Sequence, residues 1–552
     1  MFTQKSWKNF KVFAGVFCAV ALTPFFVVNS SAQAADTVVI RYGPLEESAS
    51  LKELKKSTET GELPASLGTY TQKMTEEQRR FLVEGLKIQI PINVITLDRL
   101  ISTQIGTTIL SDVSTAITRP DQAGLQAMRG GLILGANSPQ GLSILSFIEA
   151  YPSKRLVINL PQAITVARSL NGAFIRTQRF MFGLSPQVDP KDIKVASSLD
   201  PTQAGSEQVQ TLKLSLNDEK RQRQIPLDVY FSSSASTNKP VIVFSHGRGS
   251  VKTDLRYLAE HLASHGYIVA ALEHPGSNKT SFKAVNQGKK QLVAPQEFLD
   301  RPRDVSFILD ELEKLNQTAN SPLQGKLATN NVMIVGHSFG GGTALALAGG
   351  ELQIENLKQR CQQNLSTANL GERVQCAGQV LPEKTYQLRD ARIKQAIALN
   401  PTTSLMFGET GLTKVQIPTL ILSSSADKIT PALTEQVMGF AKIPSPKWLV
   451  GVVGGSHLSV IDPKITPYQQ GKPPILNKEV TGKQAQDVRK FLKGVTLAMA
   501  AQLTPEASQY APFLTADYAQ ISSTRLFPLR IVRELSPEMI QEAQSPGMTA
   551  DK

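Results

Sequence analysis

The sequence predicts an α/β fold: a mostly parallel, roughly eight-stranded sheet with helices on both faces, preceded by a small, mainly helical domain. Three observations carry this reading. From residue 207 onward, short continuous apolar runs alternate with helical stretches, the pattern of strands buried on both faces. Before residue 183 the alternation gives way to helical periodicities broken at Gly, Pro, Ser and Asn. In "NVMIVGHSFGGGTALALAGG", residues 331–350, an apolar strand enters a run of helix formers through a turn of small residues around Ser338.

The elements follow in order. Lys5, Lys8 and Lys11 precede the apolar run from Val12 to Val28, and "SAQAAD" supplies an Ala32-x-Ala34 cleavage pattern. Residues 1–34 therefore read as a secretory signal peptide, with an uncleaved anchor as the alternative. Phe17 stands where a small residue is expected before a lipid-modified cysteine, so Cys18 does not fit that role. Export leads to the periplasm, a lumen or the extracellular space. No second apolar run is long enough to span a bilayer.

The formal net charge is +13, with 41% hydrophobic and 19% charged residues, which excludes a disordered chain. A modest basic excess makes an anionic membrane surface a candidate partner. There is no zinc-finger, RNA-binding or arginine-run signature, so nucleic acid is not expected.

Residues 35–183 form the mainly helical domain. "DTVVIRY" alternates like a short strand, and the helices after it include one whose Thr75 and Gln78 have capping-box spacing. The domain contains no histidine and no metal-ligand cluster. From Pro152 to Val188 it has no acid, and Lys154, Arg155, Arg168, Arg176 and Arg179 interleave with Ile164, Leu170, Phe174, Ile175, Phe180, Met181 and Phe182. That mixture suits either an interfacial segment or a helix docked on the rest of the chain.

Residues 184–206, with Pro186, Pro190 and Pro201, read as a linker. The catalytic domain spans 207–505, with strands expected at 209–215, 225–231, 241–245, 267–272, 332–335, 395–399, 418–423 and 448–453. The first two have no helix between them and should pair antiparallel at one edge. Residues 351–390 interrupt the alternation and read as a cap excursion over the functional edge. They hold Cys361 and Cys376, an even pair that favours a disulfide after export, two buried thiols being the alternative. A strong helix at 482–502 closes the domain, and 506–552 is a C-terminal extension.

The chemistry centres on Ser338. A G-x-S-x-G elbow (Gly336, Ser338, Gly340) lifts a serine hydroxyl above the sheet and frees the first N–H of the following helix for an oxyanion. Serine needs a base. Of six histidines (His246, His261, His265, His274, His337 and His457) only His457 follows the serine, as the order Ser, acid, His requires. Between them lie two aspartates. Asp390 precedes its strand, whereas Asp427 follows "TLILSSSAD" at the carboxyl edge. Asp427 is therefore the expected acid, its alternative role being a cap for the helix near Pro431. The oxyanion donors are read as the backbone N–H groups of Arg248, in "VIVFSHGRGS", and Phe339. His246 is expected to brace that loop. His274 either lines the pocket or is structural, and the "RPRD" stretch at Arg301–Asp304 is expected to pair locally.

"VFSHGRGS", "HLASHGYIVAALEHPGSN" and "GHSFGG" together resemble the platelet-activating factor acetylhydrolases and related α/β-hydrolases. The whole chain resembles secreted cyanobacterial hydrolases that carry an uncharacterised helical domain before the catalytic one. The resemblance implies an α/β-hydrolase fold and a serine esterase acting on short or oxidised acyl chains of phospholipids, with no cofactor and no metal, and Ser338 and His457 match its nucleophile and base. It departs at the acid. The acetylhydrolases carry theirs after the strand matching "AIALN", where this chain has Asn400, so the acid is expected one strand later, at Asp427.

The function expected is that of a secreted serine hydrolase cleaving carboxylic esters, lipid-like or short-acyl, through an acyl-enzyme. The alternatives are an acyltransferase or peptidase with the same triad, or a non-catalytic hydrolase-fold binding protein of the envelope. No oligomeric state is assigned.

Overall fold

The computed structural model describes residues 34–119, 123–139, 141–169, 172–193, 195, 199–286, 293–363, 369–465 and 479–545. The expected signal peptide, its last residue apart, lies outside the described residues. The chain divides into two compact units: residues up to Val94 with Ile117–Leu160, and Ile95–Ala116 with Pro161 onward.

The first unit is less helical than the sequence suggests. It contains β1 (Thr37–Tyr42), β2 (Leu45–Ser50), β3 (Ile117–Thr118) and β4 (Arg155–Asn159), in the order β2-β1-β4-β3. The hairpin β1–β2 runs directly into the helix Leu51–Thr60, which Ser50 and Glu53 start with a capping box. The expected box of Thr75 and Gln78 starts the helix Glu76–Lys87 in the same way. Strand β4 pairs parallel to β1 across more than a hundred residues, a non-local pairing that local periodicity does not register.

The second unit holds a nine-stranded sheet. Its strands are β5 (Gln210–Asp218), β6 (Arg223–Phe231), β7 (Val241–Ser245), β8 (Ile268–Leu272) and β9 (Val332–His337). After a small hairpin of β10 (Leu352–Gln353) and β11 (Thr385–Tyr386) come β12 (Ile393–Leu399), β13 (Thr419–Ser424), β14 (Lys447–Val452) and β15 (Leu529–Val532). The order is β15-β14-β13-β12-β9-β7-β8-β6-β5. The six strands from β14 to β8 run parallel. The β5–β6 pair forms one antiparallel edge, as expected, and β15 forms the other. The ninth strand comes from the segment read as an extension beyond the fold.

The continuous apolar runs serve two faces. Along β7, Val241 and Val243 belong to one core cluster while Ile242 and Phe244 belong to the other. Strand β7 lies between β8 and β9, so the chain reverses direction across the sheet there, and the crevice at the carboxyl ends of β7 and β9 is the topological switch point where open α/β sheets bind ligands.

Residues 161–206 fall within this second unit. Phe174, Phe180, Met181 and Leu184 are buried in the core of this unit, and Gln178 exchanges hydrogen bonds with Ser425 at 2.6 and 2.7 Å. The helix Gly172–Phe182 thus packs on the nine-stranded sheet, the docked alternative of the two readings, and its buried apolar residues are not available to a lipid boundary. Arg179 pairs with Glu542 at 2.9 Å; the side chain of Arg168 lies outside the described residues. The supposed linker is docked as well: the buried Pro201 offers its carbonyl to His261 Nε2 at 3.1 Å. Among the described residues no helix is long and apolar enough to cross a membrane.

Candidate active site

Strand β9 ends at His337, and the helix Phe339–Leu347 begins two residues later. Ser338 makes the turn with φ 56° and ψ −120°, a backbone that costs a non-glycine residue about 1–3 kcal/mol. Both neighbouring glycines are obligatory. A Cβ at Gly336 would overlap the carbonyl oxygen of Gly340, and one at Gly340 would overlap that of Ser245 at the end of β7. Ser338 makes no side-chain cap bond to its own helix.

Asp427 lies just past β13 and His457 just past β14. His457 Nδ1 donates to Asp427 Oδ2 at 2.7 Å. Asp427 Oδ1 accepts from the backbone N–H groups of Ile429 and Thr430 at 2.9 and 2.8 Å. The carboxylate therefore holds its own turn with one oxygen and the imidazole with the other; the short helical stretch after Pro431 has no side-chain cap. Burial works against protonating His457, but the Asp427 carboxylate outweighs it and raises the ring's pKa above the ordinary imidazole value. The neighbouring His337 ring, its centroid 4.8 Å away, is pushed down to about 3 by burial and by His457, so it stays neutral. It donates Nε2–H to the His457 carbonyl at 3.0 Å.

The loop after β7 is held from beneath. His246 donates Nδ1–H to Gly247 O at 2.6 Å, and its Nε2 accepts from the His274 backbone at 3.0 Å. His274 bridges Ser245 Oγ at 3.0 Å and Asp304 Oδ2 at 2.9 Å. Burial and the nearby Arg301 keep both rings neutral. The fully buried Arg301 donates to the His246 carbonyl and to Ser277 Oγ, while Asp304 also pairs with Arg221 and Arg223 at 2.8 Å. Within the RPRD stretch Arg303 pairs locally with Asp300 at 3.9 Å, while Arg301 and Asp304 form the floor of the loop. Neither His246 nor His274 is among the residues that line the cavity, so a pocket role, weighed above for His274, is not what the geometry gives: both are hydrogen-bonded beneath it.

Ser338, Phe339, His337, His457, Thr430, Gly247 and Arg248 line one cavity of about 970 Å³. A Cβ on Gly247 would sit 3.3 Å from that of Ser338, so this loop passes close beside the serine. Leu370, Gly371 and Val374 of the cap excursion line the cavity too. Cys361 and Cys376, joined in a disulfide with their Cα atoms 5.7 Å apart, tie that excursion together.

A family model described as Chlorophyllase matches residues 199–526, which cover eight of the nine strands of the sheet, all but β15, and every residue of this cavity. The chain belongs to the chlorophyllase family. A second model, described as an alpha/beta hydrolase of unknown function (DUF1400), matches residues 34–159, a segment that contains none of Ser338, Asp427 and His457. Platelet-activating factor acetylhydrolases are similar over a shorter stretch: that of Bos taurus is 32% identical over 142 residues and that of Cavia porcellus 29% over 134, each alignment covering 19% of this chain and 31% of the relative. The matched region thus spans about a third of the length of these curated relatives. Within this chlorophyllase-family chain, then, the elbow, the aspartate and the histidine all fall inside the family match.

Some residues of the site escaped the sequence reading. Thr430 Oγ1 lies 3.0 Å from His457 Nδ1 and donates to Asp427 Oδ2 at 2.8 Å; a threonine three residues after the aspartate was the available signal. Glu435, fully buried with its pKa raised by that burial, accepts from Thr403 and Ser404 N–H groups and from Asn369 and Gln375 side chains. It pins the excursion to the loop after β12. Glu479 accepts from Ser456 Oγ at 2.6 Å and from Leu458 N–H at 2.8 Å, on both sides of His457. Nothing local in the sequence marks either glutamate.

Proposed function

We propose that the protein is an exported serine hydrolase that cleaves carboxylic esters, lipid-like or short-acyl, through an acyl-enzyme. Family membership and the acetylhydrolase similarity support an esterase-type hydrolase. The observation that carries the mechanism is the 2.7 Å bond between His457 Nδ1 and Asp427 Oδ2, made where Ser338 shares the cavity with that imidazole.

In this reading Ser338 Oγ attacks the ester carbonyl while His457 Nε2 takes its proton. Asp427 holds the ring in the tautomer with Nδ1 protonated and stabilises the imidazolium. The oxyanion is met by the backbone N–H groups of Arg248 and Phe339, the latter at the first position of a helix where no intrahelical partner exists. His457 then gives its proton to the leaving alcohol, and water, activated by the same ring, releases the acid.

The disulfide suits an oxidising compartment, in keeping with the signal peptide read at residues 1–34. The test is labelling by a fluorophosphonate probe together with a panel of esters of graded acyl length. Labelling at Ser338 with ester turnover is the expected result. Absence of labelling in folded protein would favour a binding role for the fold, and acyl transfer outpacing hydrolysis would favour the transferase reading.

A further inference from the structure

Asp254 also lines the cavity of Ser338 and His457. It is 2% exposed, and among the described residues neither carboxylate oxygen has a partner at full hydrogen-bond geometry, the Ser250 hydroxyl and the Val251 N–H lying near but short of it. Buried carboxylates are almost always satisfied, because an unmet one forfeits its hydration without return. The ordinary explanations do not apply here. The helix Arg256–Ser264 that follows has no side-chain cap bond, so Asp254 is not its cap. Its acidic neighbours are satisfied: Asp462 accepts from the N–H groups of Tyr257 and Lys464 at 3.2 and 2.9 Å, and Glu273 from Asn278 Nδ2 at 3.0 Å. Burial, reinforced by Glu273 and Asp462 and opposed by the nearby Ser250 and Val251, pushes the Asp254 carboxyl up to about 7. Much of the remaining lining is apolar, with Val251, Phe282, Ile429, Leu458 and Ile461. An acceptor set among such walls fixes orientation and selects ligands that bring a donor.

We propose that Asp254 is the recognition group of this cavity, accepting a hydrogen bond from an O–H or N–H carried by the substrate. This rests on the reading of the cavity as an ester-binding site. The substrate class is thereby narrowed to esters that bear a hydroxyl or amino group besides the scissile bond, as opposed to purely hydrocarbon esters. A donor that leaves the cavity with the product also explains why, among the described residues, no protein group fully satisfies the carboxylate: a strong internal partner would compete with the ligand.

The test is equilibrium binding to the full chain carrying Ser338→Ala, which binds esters without turning them over. Propyl, 2-hydroxyethyl and 2-aminoethyl butyrate match one another in length, and 3-hydroxybutyrate esters place the donor on the acyl side. At least one donor-bearing ester should bind about tenfold or more tightly than its hydrocarbon match, the scale of a hydrogen bond to a charged group. Which of them does so identifies O–H or N–H, and the acyl or alcohol side. Adding Asp254→Leu should bring that ratio to about one, with Asp254→Asn intermediate. Both substitutions remove an unpaired buried carboxylate, so both should raise the unfolding temperature. The proposal is overturned if no donor-bearing ester is preferred, if the preference survives Asp254→Leu, or if Asp254→Asn lowers stability, which would reveal a structural partner. Wild-type turnover of propyl butyrate, measured in parallel, judges ester hydrolysis itself; a donor preference without turnover would refute the esterase and leave the role of Asp254 standing.

Discussion

Asn400 Nδ2 donates to the backbone carbonyl of His457 at 3.1 Å, and its Oδ1 accepts from Ser424 N–H at 3.0 Å. The amide thus joins the ends of β12 and β13 to the loop that carries the imidazole. A carboxylate at this position would have no proton to offer the carbonyl. The residue that stands where the acetylhydrolases carry their acid is here a tether, and the ring's Nδ1 is already taken by Asp427.

Asn400→Asp should therefore impair the enzyme without supplying a new acid. It sets an acceptor against an acceptor in a buried site, at a cost of about 1–3 kcal/mol. Turnover of a short ester should fall about tenfold or more, and adding Asn400→Asp to Asp427→Asn should restore nothing. Recovery of activity in that double variant would move the acid to position 400.

Ser338→Ala and His457→Ala should each abolish hydrolysis, and the double variant should be scarcely worse than either alone, because the members act as a unit. Asp427→Asn should lower kcat by about 10⁴-fold. Asp390→Asn should leave kcat within a few-fold of wild type, since Asp390 is engaged by Arg392 and Ser306 at the opposite end of β12. Steady-state kinetics on Asp427→Asn and Asp390→Asn decide between the two aspartates.

The pH profile has a predicted sign. His457 accepts the serine proton only when neutral, so kcat/KM should rise as pH increases through its pKa. Although burial opposes protonation, Asp427 raises that pKa, so the midpoint should lie above the ordinary value of about 6.5. In Asp427→Asn the raising influence disappears while burial stays, and the residual activity should titrate at lower pH. A midpoint that does not move between the two proteins would mean that another group controls the profile.

The Cys361–Cys376 bridge closes a separation of 15 residues, for which chain entropy gives about 3 kcal/mol of stabilisation. Cys361→Ser with Cys376→Ser should lower the denaturant midpoint and weaken binding of bulky esters more than small ones, because Leu370, Gly371 and Val374 of the bridged segment line the cavity. Peptide mapping without reductant checks the bridge directly; two alkylated thiols in exported protein would contradict it.

Much of this architecture is legible in the sequence because the parallel strands are buried on both faces. Val241–Ser245 reads as a strand from five adjacent residues, and Ser338 is marked by glycines that no other residue could replace. Strand β4 and the docking of Phe174, Phe180 and Met181 are not legible, since each depends on partners distant in the chain. The same holds within the site. Asp427 and His457 follow from chain order and strand ends, whereas Glu435, Glu479 and Asp254 owe their interest to burial, which composition and spacing do not report. Asn400 lies between these cases: its identity reveals the missing acid, but only the fold reveals the tether.

Strand β15 borders β14 with the pairs Leu449–Val532 and Val450–Ile531. Cutting the chain at residue 505, where the sequence suggests that the domain ends, would strip β14 of this neighbour and bare a row of unpaired amides flanked by Leu449 and Val450. Such an exposed, flat and apolar border is a template for another chain. The shortened protein should then appear in the insoluble fraction as intermolecular β-structure, which would make β15 the guard of that border against self-association.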